Sequence, residues 1–235
     1  MGLTMGVIDD NLKHVSSRIE AACSRYDRQP EEITLVGVSK TKGFELVEEA
    51  WRAGLVHFGE NKVQEAESKI PDVGEGPVWH FIGHLQTNKT KKAIRLFDII
   101  ESVDSLKIAR ALSKECSNHE TEMEILLEVN SSGEASKYGL SPDNVMPVAE
   151  EVSEFDNLRL GGLMTVGPFT EDEELIDKSF ISTENLFKRM RDRFGETIKT
   201  LSMGMTSDFE RAIKFGSTEL RIGTAIFGAR DYLKK

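Results

Sequence analysis

Short apolar runs and amphipathic stretches take turns along this chain from near its start to near its end. The runs are residues 33–40 (ITLVGVSK), 56–58, 78–82, 99–103, 125–129, 158–166, 200–203 and 220–227. They are short, rich in branched residues and apolar throughout rather than alternating, as expected of buried parallel strands. The stretches between them have helical spacing. In 44–53, Phe44, Val47, Ala50 and Trp51 share a face; in 173–194, Ile176, Phe180, Thr183, Phe187 and Met190 do. Residues 105–116 and 142–155 are of the same kind, and 12–26 reads as an opening helix within a 1–30 leader to the first strand. Alternating strands and helices imply a parallel sheet covered on both faces. About eight such units in 235 residues point to an α/β fold, a single (β/α)8 TIM-type barrel filling 1–235. An open doubly wound sheet is the rival, but no G-x-G-x-x-G loop follows the first run.

The charge balance limits the partners. Forty acids against 30 bases leave a net charge of -10, which suits neither nucleic acid nor an anionic membrane surface. A phosphate can still be held locally by a few backbone N–H groups. Cys23 and Cys116 are too few for a disulfide framework and lack zinc-site spacing, which suits a reducing compartment. Residues 1–10 read as neither signal nor anchor, and no run approaches the ~18 apolar residues of a membrane span. A cytoplasmic protein is expected.

In such a barrel the chemistry sits at the C-terminal strand ends. Those ends carry Ser39-Lys40, Gly59-Glu60-Asn61, Gly83-His84-Leu85-Gln86, Asn130, Met164-Thr165, Ser202-Met203-Gly204, and Arg221, Gly223 and Thr224. After the seventh run, Ser207 and Glu210 have capping-box spacing, so a strand–Gly204–helix turn is expected to point N–H groups at an anion. Gly223 in the eighth unit lets a phosphate approach the backbone. Each glycine alone favours a mere tight turn; together, on the last two units, they favour a phosphate site. Lys40 ends a strongly apolar strand, the setting that lets a lysine amine lose its proton and attack an aldehyde. A solvated rim lysine is the plain alternative. His80 and His84 are four apart, but in a strand running into a loop that spacing does not align two ligands, so no metal is expected.

Val38-Ser39-Lys40-Thr41-Lys42, Phe58-Gly59-Glu60-Asn61, His80-Phe81-Ile82-Gly83-His84-Leu85-Gln86, Ser202-Met203-Gly204-Met205 and 221–228 (RIGTAIFG) resemble, in this order and over nearly the whole chain, the pyridoxal phosphate homeostasis protein family: YggS-like in bacteria, the proline synthetase co-transcribed homologue in eukaryotes. The resemblance implies a barrel similar to the alanine racemase N-terminal domain. It implies pyridoxal 5′-phosphate held as a Schiff base on Lys40, in a carrier or buffer of the cofactor without catalytic turnover. By the matching motifs Ser202, Gly223 and Thr224 would hold the phosphate, with Met203 and Gly204 in the same turn. Arg221 would face the pyridine nitrogen, Asn61 would lie near the ring, and His84 would line the pocket. Lys62 stands where many relatives have tyrosine, Gly43 where many have proline, and Thr206 where serine is frequent.

A guanidinium facing the ring nitrogen disfavours its protonation and weakens the ring as an electron sink. That argues for a carrier that passes cofactor to apo-enzymes. The alternatives are a weak amino-acid racemase, an aldolase using Lys40 on a sugar phosphate, or a regulatory binder. Racemisation needs a second base; of Tyr26, Tyr138 and Tyr232, Tyr138 follows a flexible loop able to reach the mouth. Without a further β-domain to supply a partner's tyrosine, a monomer is expected.

Overall fold

A computed structural model describes residues 6–134 and 137–229. The eight apolar runs become β1 (Thr34–Val38), β2 (His57–Glu60), β3 (Val78–Phe81), β4 (Ile99–Val103), β5 (Met123–Val129), β6 (Leu158–Thr165), β7 (Thr200–Ser202) and β8 (Glu219–Ile222). Each pairs in parallel with the next, and β8 closes on β1 with Thr34 opposite Glu219 and Gly37 opposite Ile222. The barrel is therefore closed and has no free edge.

The helices are α1 (Val7–Arg25), α2 (Phe44–Arg52), α3 (Val63–Val73), α4 (Thr90–Leu96), α5 (Leu106–Asn118), α6 (Pro142–Ser153), α7 (Glu173–Phe194), α8 (Phe209–Lys214) and α9 (Thr224–Phe227). α1 starts earlier than its pattern suggested, with Ile8, Leu12, Val15, Ile19 and Ala22 buried along one stripe. The run 220–227 is not one strand. It breaks at Gly223 into β8 and α9, because apolarity alone cannot separate a strand from a short buried helix. Asn11 Nδ2 donates to Ile226 O at 2.8 Å and ties α1 to α9.

Two layers lie on either side of the strands. Outward side chains, among them Phe58, Phe81, Leu163, Leu201 and Ile222, join helix residues such as Val47, Leu112 and Met190 in one apolar core. The inward face is different. Ser202 of β7 bonds Glu101 of β4, strands that are not neighbours, so both side chains lie in the lumen. His80, Glu219 and Arg221 are buried with them. Branched apolar residues commonly fill such a lumen; here much of it is a charged, hydrogen-bonded network.

Candidate functional site

Three adjacent strand ends gather most of the expected site residues. Lys40 stands two residues past β1, half-buried at the rim. Gly223 follows β8 next door, so close that a Cβ built on it would lie 3.3 Å from Val38 O. On the other side, Arg221 N–H donates to Gly204 O at 3.0 Å and Met203 N–H to Glu219 O at 3.1 Å. Lys40, Gly204, Gly223 and Thr224 thus share one arc of the mouth. Thr224 is exposed at the start of α9, whose first N–H groups have no acceptor inside the helix. Gly204 is required by the turn itself: its φ is +99°, and a Cβ there would lie 2.6 Å from Ala212 Cβ. Gly223, at φ -109°, needs no such freedom and is small because β1 presses on it.

Asn61, just beyond β2, keeps a buried Oδ1 with no hydrogen-bond partner, a state that native proteins reserve for strain, a water or a ligand. Gly83 makes room for it, since a Cβ there would lie 2.2 Å from Asn61 O. His84 lies at the rim, its Nδ1 3.0 Å from Asp104 Oδ2. Its ring stacks on Tyr138 with centroids 3.7 Å apart, so the β3–α4 and β5–α6 loops meet there. Lys62 pairs with Glu65 at 2.9 Å.

Other expected residues stand differently. The Ser202 hydroxyl is fully buried in the lumen and committed to Glu101 and Arg221. The Met203 side chain belongs to the outer core, which leaves only its backbone at the turn. Ser207 and Glu210 form no capping box. α8 has no side-chain cap: Asp208, at its N-cap position, turns back so that its Oδ1 accepts the Met205 N–H at 2.6 Å, while Glu210 takes Arg18 of α1 at 2.6 Å. A groove of about 1270 Å³ beside α1 and the turn at 205–208 includes none of Lys40, Asn61, Arg221 or Gly223 in its lining.

Beneath the mouth a hydrogen-bonded chain crosses the lumen. Arg221 Nη2 donates to Thr165 O at 2.6 Å and Nη1 to Ser202 Oγ, whose hydroxyl donates to Glu101 Oε2 at 2.6 Å. Glu101 Oε1 meets His80 Nδ1 at 2.7 Å, and His80 Nε2 meets His57 Nδ1 at 2.9 Å. His80 holds Glu101 below the usual carboxylate range against the penalty of its own burial. Glu219, with a buried Oε1 left unpartnered, is pushed up to about 8 by burial and then by the charge of Glu101. Burial and then Asp104 push Glu128 up to about 7. His80, Glu101 and Glu219 bring ligand-type atoms within 4.8 Å of one another, although both Glu101 oxygens already hold donors. Sequence reasoning missed this network. Its signal was a glutamate within a buried strand, Glu101 in IIESV and Glu219 beside Arg221 in ELRI.

The model of the alanine racemase N-terminal domain matches residues 11–231. The pyridoxal phosphate homeostasis protein of Vibrio alginolyticus is 41% identical over 233 residues, covering 97% of this chain and 100% of that protein. The chain belongs to the pyridoxal phosphate homeostasis protein family. PipY of Synechococcus elongatus PCC7942, solved with PLP bound, superposes with a TM-score of 0.78 at 29% identity, over 90% of this chain and 100% of PipY. An alanine racemase of Clostridium difficile shares the fold, with a TM-score of 0.76 at 16% identity, over 96% of this chain but 57% of the racemase. Among the described residues no helix is long and apolar enough to cross a membrane.

Proposed function

We propose that this chain binds pyridoxal 5′-phosphate at the barrel mouth through a Schiff base on Lys40 and serves as a carrier of the cofactor, not as an enzyme. One observation carries the reading: Lys40 and the Gly223–Thr224 turn leave neighbouring strands, with the orphaned Asn61 Oδ1 at the next strand end along. An amine, an opening for phosphate and an unused acceptor are what a phosphorylated pyridine aldehyde requires. The cofactor supplies the aldehyde when bound. Of the protein's own groups, Lys40 provides the amine, Gly204, Gly223 and Thr224 the phosphate cradle, Asn61 the acceptor and His84 the wall.

Arg221 favours the carrier over the enzyme. It is held by Thr165 O and Ser202 and lies close to the Glu101 carboxylate, so its guanidinium is fixed in place. Facing a pyridine nitrogen it would keep that nitrogen unprotonated and the ring a weak electron sink. The named homeostasis relatives accord with this role. Apo-enzymes that need the cofactor are its natural recipients, and a monomer in a reducing cytoplasm suits two buried free cysteines.

The purified protein is expected to take up pyridoxal phosphate with an imine absorbance band, and borohydride should bleach that band by reducing the imine and so fix the cofactor covalently onto Lys40. Lys40→Ala should abolish the band. Should the wild-type protein take up no cofactor, the reading is lost; should it exchange amino-acid α-protons for deuterium at ~1 s⁻¹ or faster, it is an enzyme.

A further inference from the structure

The turn that carries Lys40 is held in a conformation that its own residues disfavour. Thr41 has a φ of +65°, a left-handed backbone in which a β-branched residue is strained. Such strain persists only where the surroundings over-determine it, and it gathers at functional sites. Here the surroundings are β2 and α3. Ser39 N–H donates to Gly59 O and Lys42 N–H to Ser39 O, each at 3.0 Å. Thr41 N–H donates to Glu65 Oε2 at 3.2 Å, and the Ser39 hydroxyl to Glu60 Oε1 at 2.6 Å. Lys69 Nζ donates to Ser39 O at 2.8 Å and also to Glu60 Oε1. Glu65 and Lys69, four apart, share one face of α3.

Stability does not account for Lys69. Its side chain is 7% exposed and that of Glu60 0%. Burying such a pair is often no better for folding than apolar residues of the same volume, and ordering a lysine carries a large entropic cost. What the pair does supply is a directional grip on one backbone atom, the carbonyl immediately before Lys40.

We propose that Lys69 is a positioning residue for Lys40: braced by Glu60, it locks the Ser39 carbonyl and maintains the strained turn, so that Lys40 springs from one fixed backbone before any cofactor arrives. The proposal rests on the reading of Lys40 as the cofactor lysine. Its consequence is kinetic and energetic preorganisation, since a loose turn would have to be ordered at the moment of binding.

Amide hydrogen exchange of the cofactor-free protein and the rate of imine formation with added pyridoxal phosphate test it together, in wild type, Lys69→Met and Lys69→Met/Glu60→Gln. The double variant removes both buried charges, and its melting curve controls for folding. Wild-type Thr41 and Lys42 amides should be strongly protected. In the folded variants their exchange should quicken, and imine formation should slow, by ten-fold or more. Folded variants within two-fold of wild type on both readouts overturn the proposal. If neither variant folds, the wild-type protein decides: unprotected Thr41 and Lys42 amides overturn it, and protected ones support it. A wild-type protein that forms no imine removes the cofactor reading, while the exchange comparison still decides whether Lys69 holds the turn.

Discussion

The Ser202 hydroxyl accepts from Arg221 and donates to Glu101, so a neutral oxygen separates two buried charges whose nearest atoms are 3.9 Å apart. Ser202→Ala would leave Glu101 Oε2 without its donor and Arg221 Nη1 without its acceptor. An unsatisfied buried group costs ~1–3 kcal/mol, so a loss of about 2 kcal/mol is expected in urea unfolding, with m unchanged. An unaltered midpoint would mean that Arg221 and Glu101 close the gap and pair directly. The same contact marks the limit of reading residues from sequence. Lys40, Asn61 and Gly204 were legible because each ends or closely follows an apolar run, Gly223 and Thr224 because they interrupt the last one, and barrels collect strand ends at one mouth. The partners of Ser202 were not, because spacing within a strand is silent about which strands face each other across a lumen. Lys69 was hidden too: it sits in an amphipathic helix, where a lysine normally faces water.

At the scale of elements, period decided what was legible. Continuous apolar runs and helical stripes mark β1 to β7 and α2, α5, α6 and α7 to within a few residues, while α1 begins earlier than expected, the last run splits into β8 and α9, and α3 was not anticipated. Short elements with tertiary partners resisted. Ser207 and Glu210 have the right spacing for a capping box, yet α8 starts after Asp208 without a side-chain cap, and Glu210 goes to Arg18, 192 positions away. The β7–α8 turn depends instead on Gly204, whose φ of +99° and packing against Ala212 and Phe209 leave no room for a methyl group. Gly204→Ala should therefore destabilise by about 2–4 kcal/mol, from strain and overpacking together. Because Gly204 O accepts the Arg221 N–H, the damage should spread to the mouth and weaken cofactor retention. A circular-dichroism melt together with the imine band reads both effects; a variant equal to wild type in the two would show that the turn relaxes freely.

For the molecule as a whole, the polar lumen gives stability an unusual pH dependence. Burial pushes Glu219 up to about 8 and Glu128 up to about 7. An unfolded chain releases both protons near pH 4.5, whereas the folded barrel keeps them until pH 7 to 8. The folded state thus binds more protons across that window, and stability must fall as pH rises through it, by up to ~1.4 kcal/mol per pH unit for each group. His80, raised above its usual value chiefly by its hydrogen bond to Glu101 despite burial, acts with the same sign. His57, lowered by burial, opposes it near pH 6.5, and Glu101, lowered, withdraws its contribution only in acid. The net charge of -10 adds self-repulsion on the alkaline side. Melting temperature should therefore peak near pH 4–5, where the unfolded carboxylates begin to ionise, and decline towards pH 8, and Glu219→Gln, which cannot ionise, should flatten the decline. A wild-type melting temperature that is level or rising from pH 6 to 9 would mean that water or a counter-cation reaches the lumen and ionises Glu219 at ordinary cost.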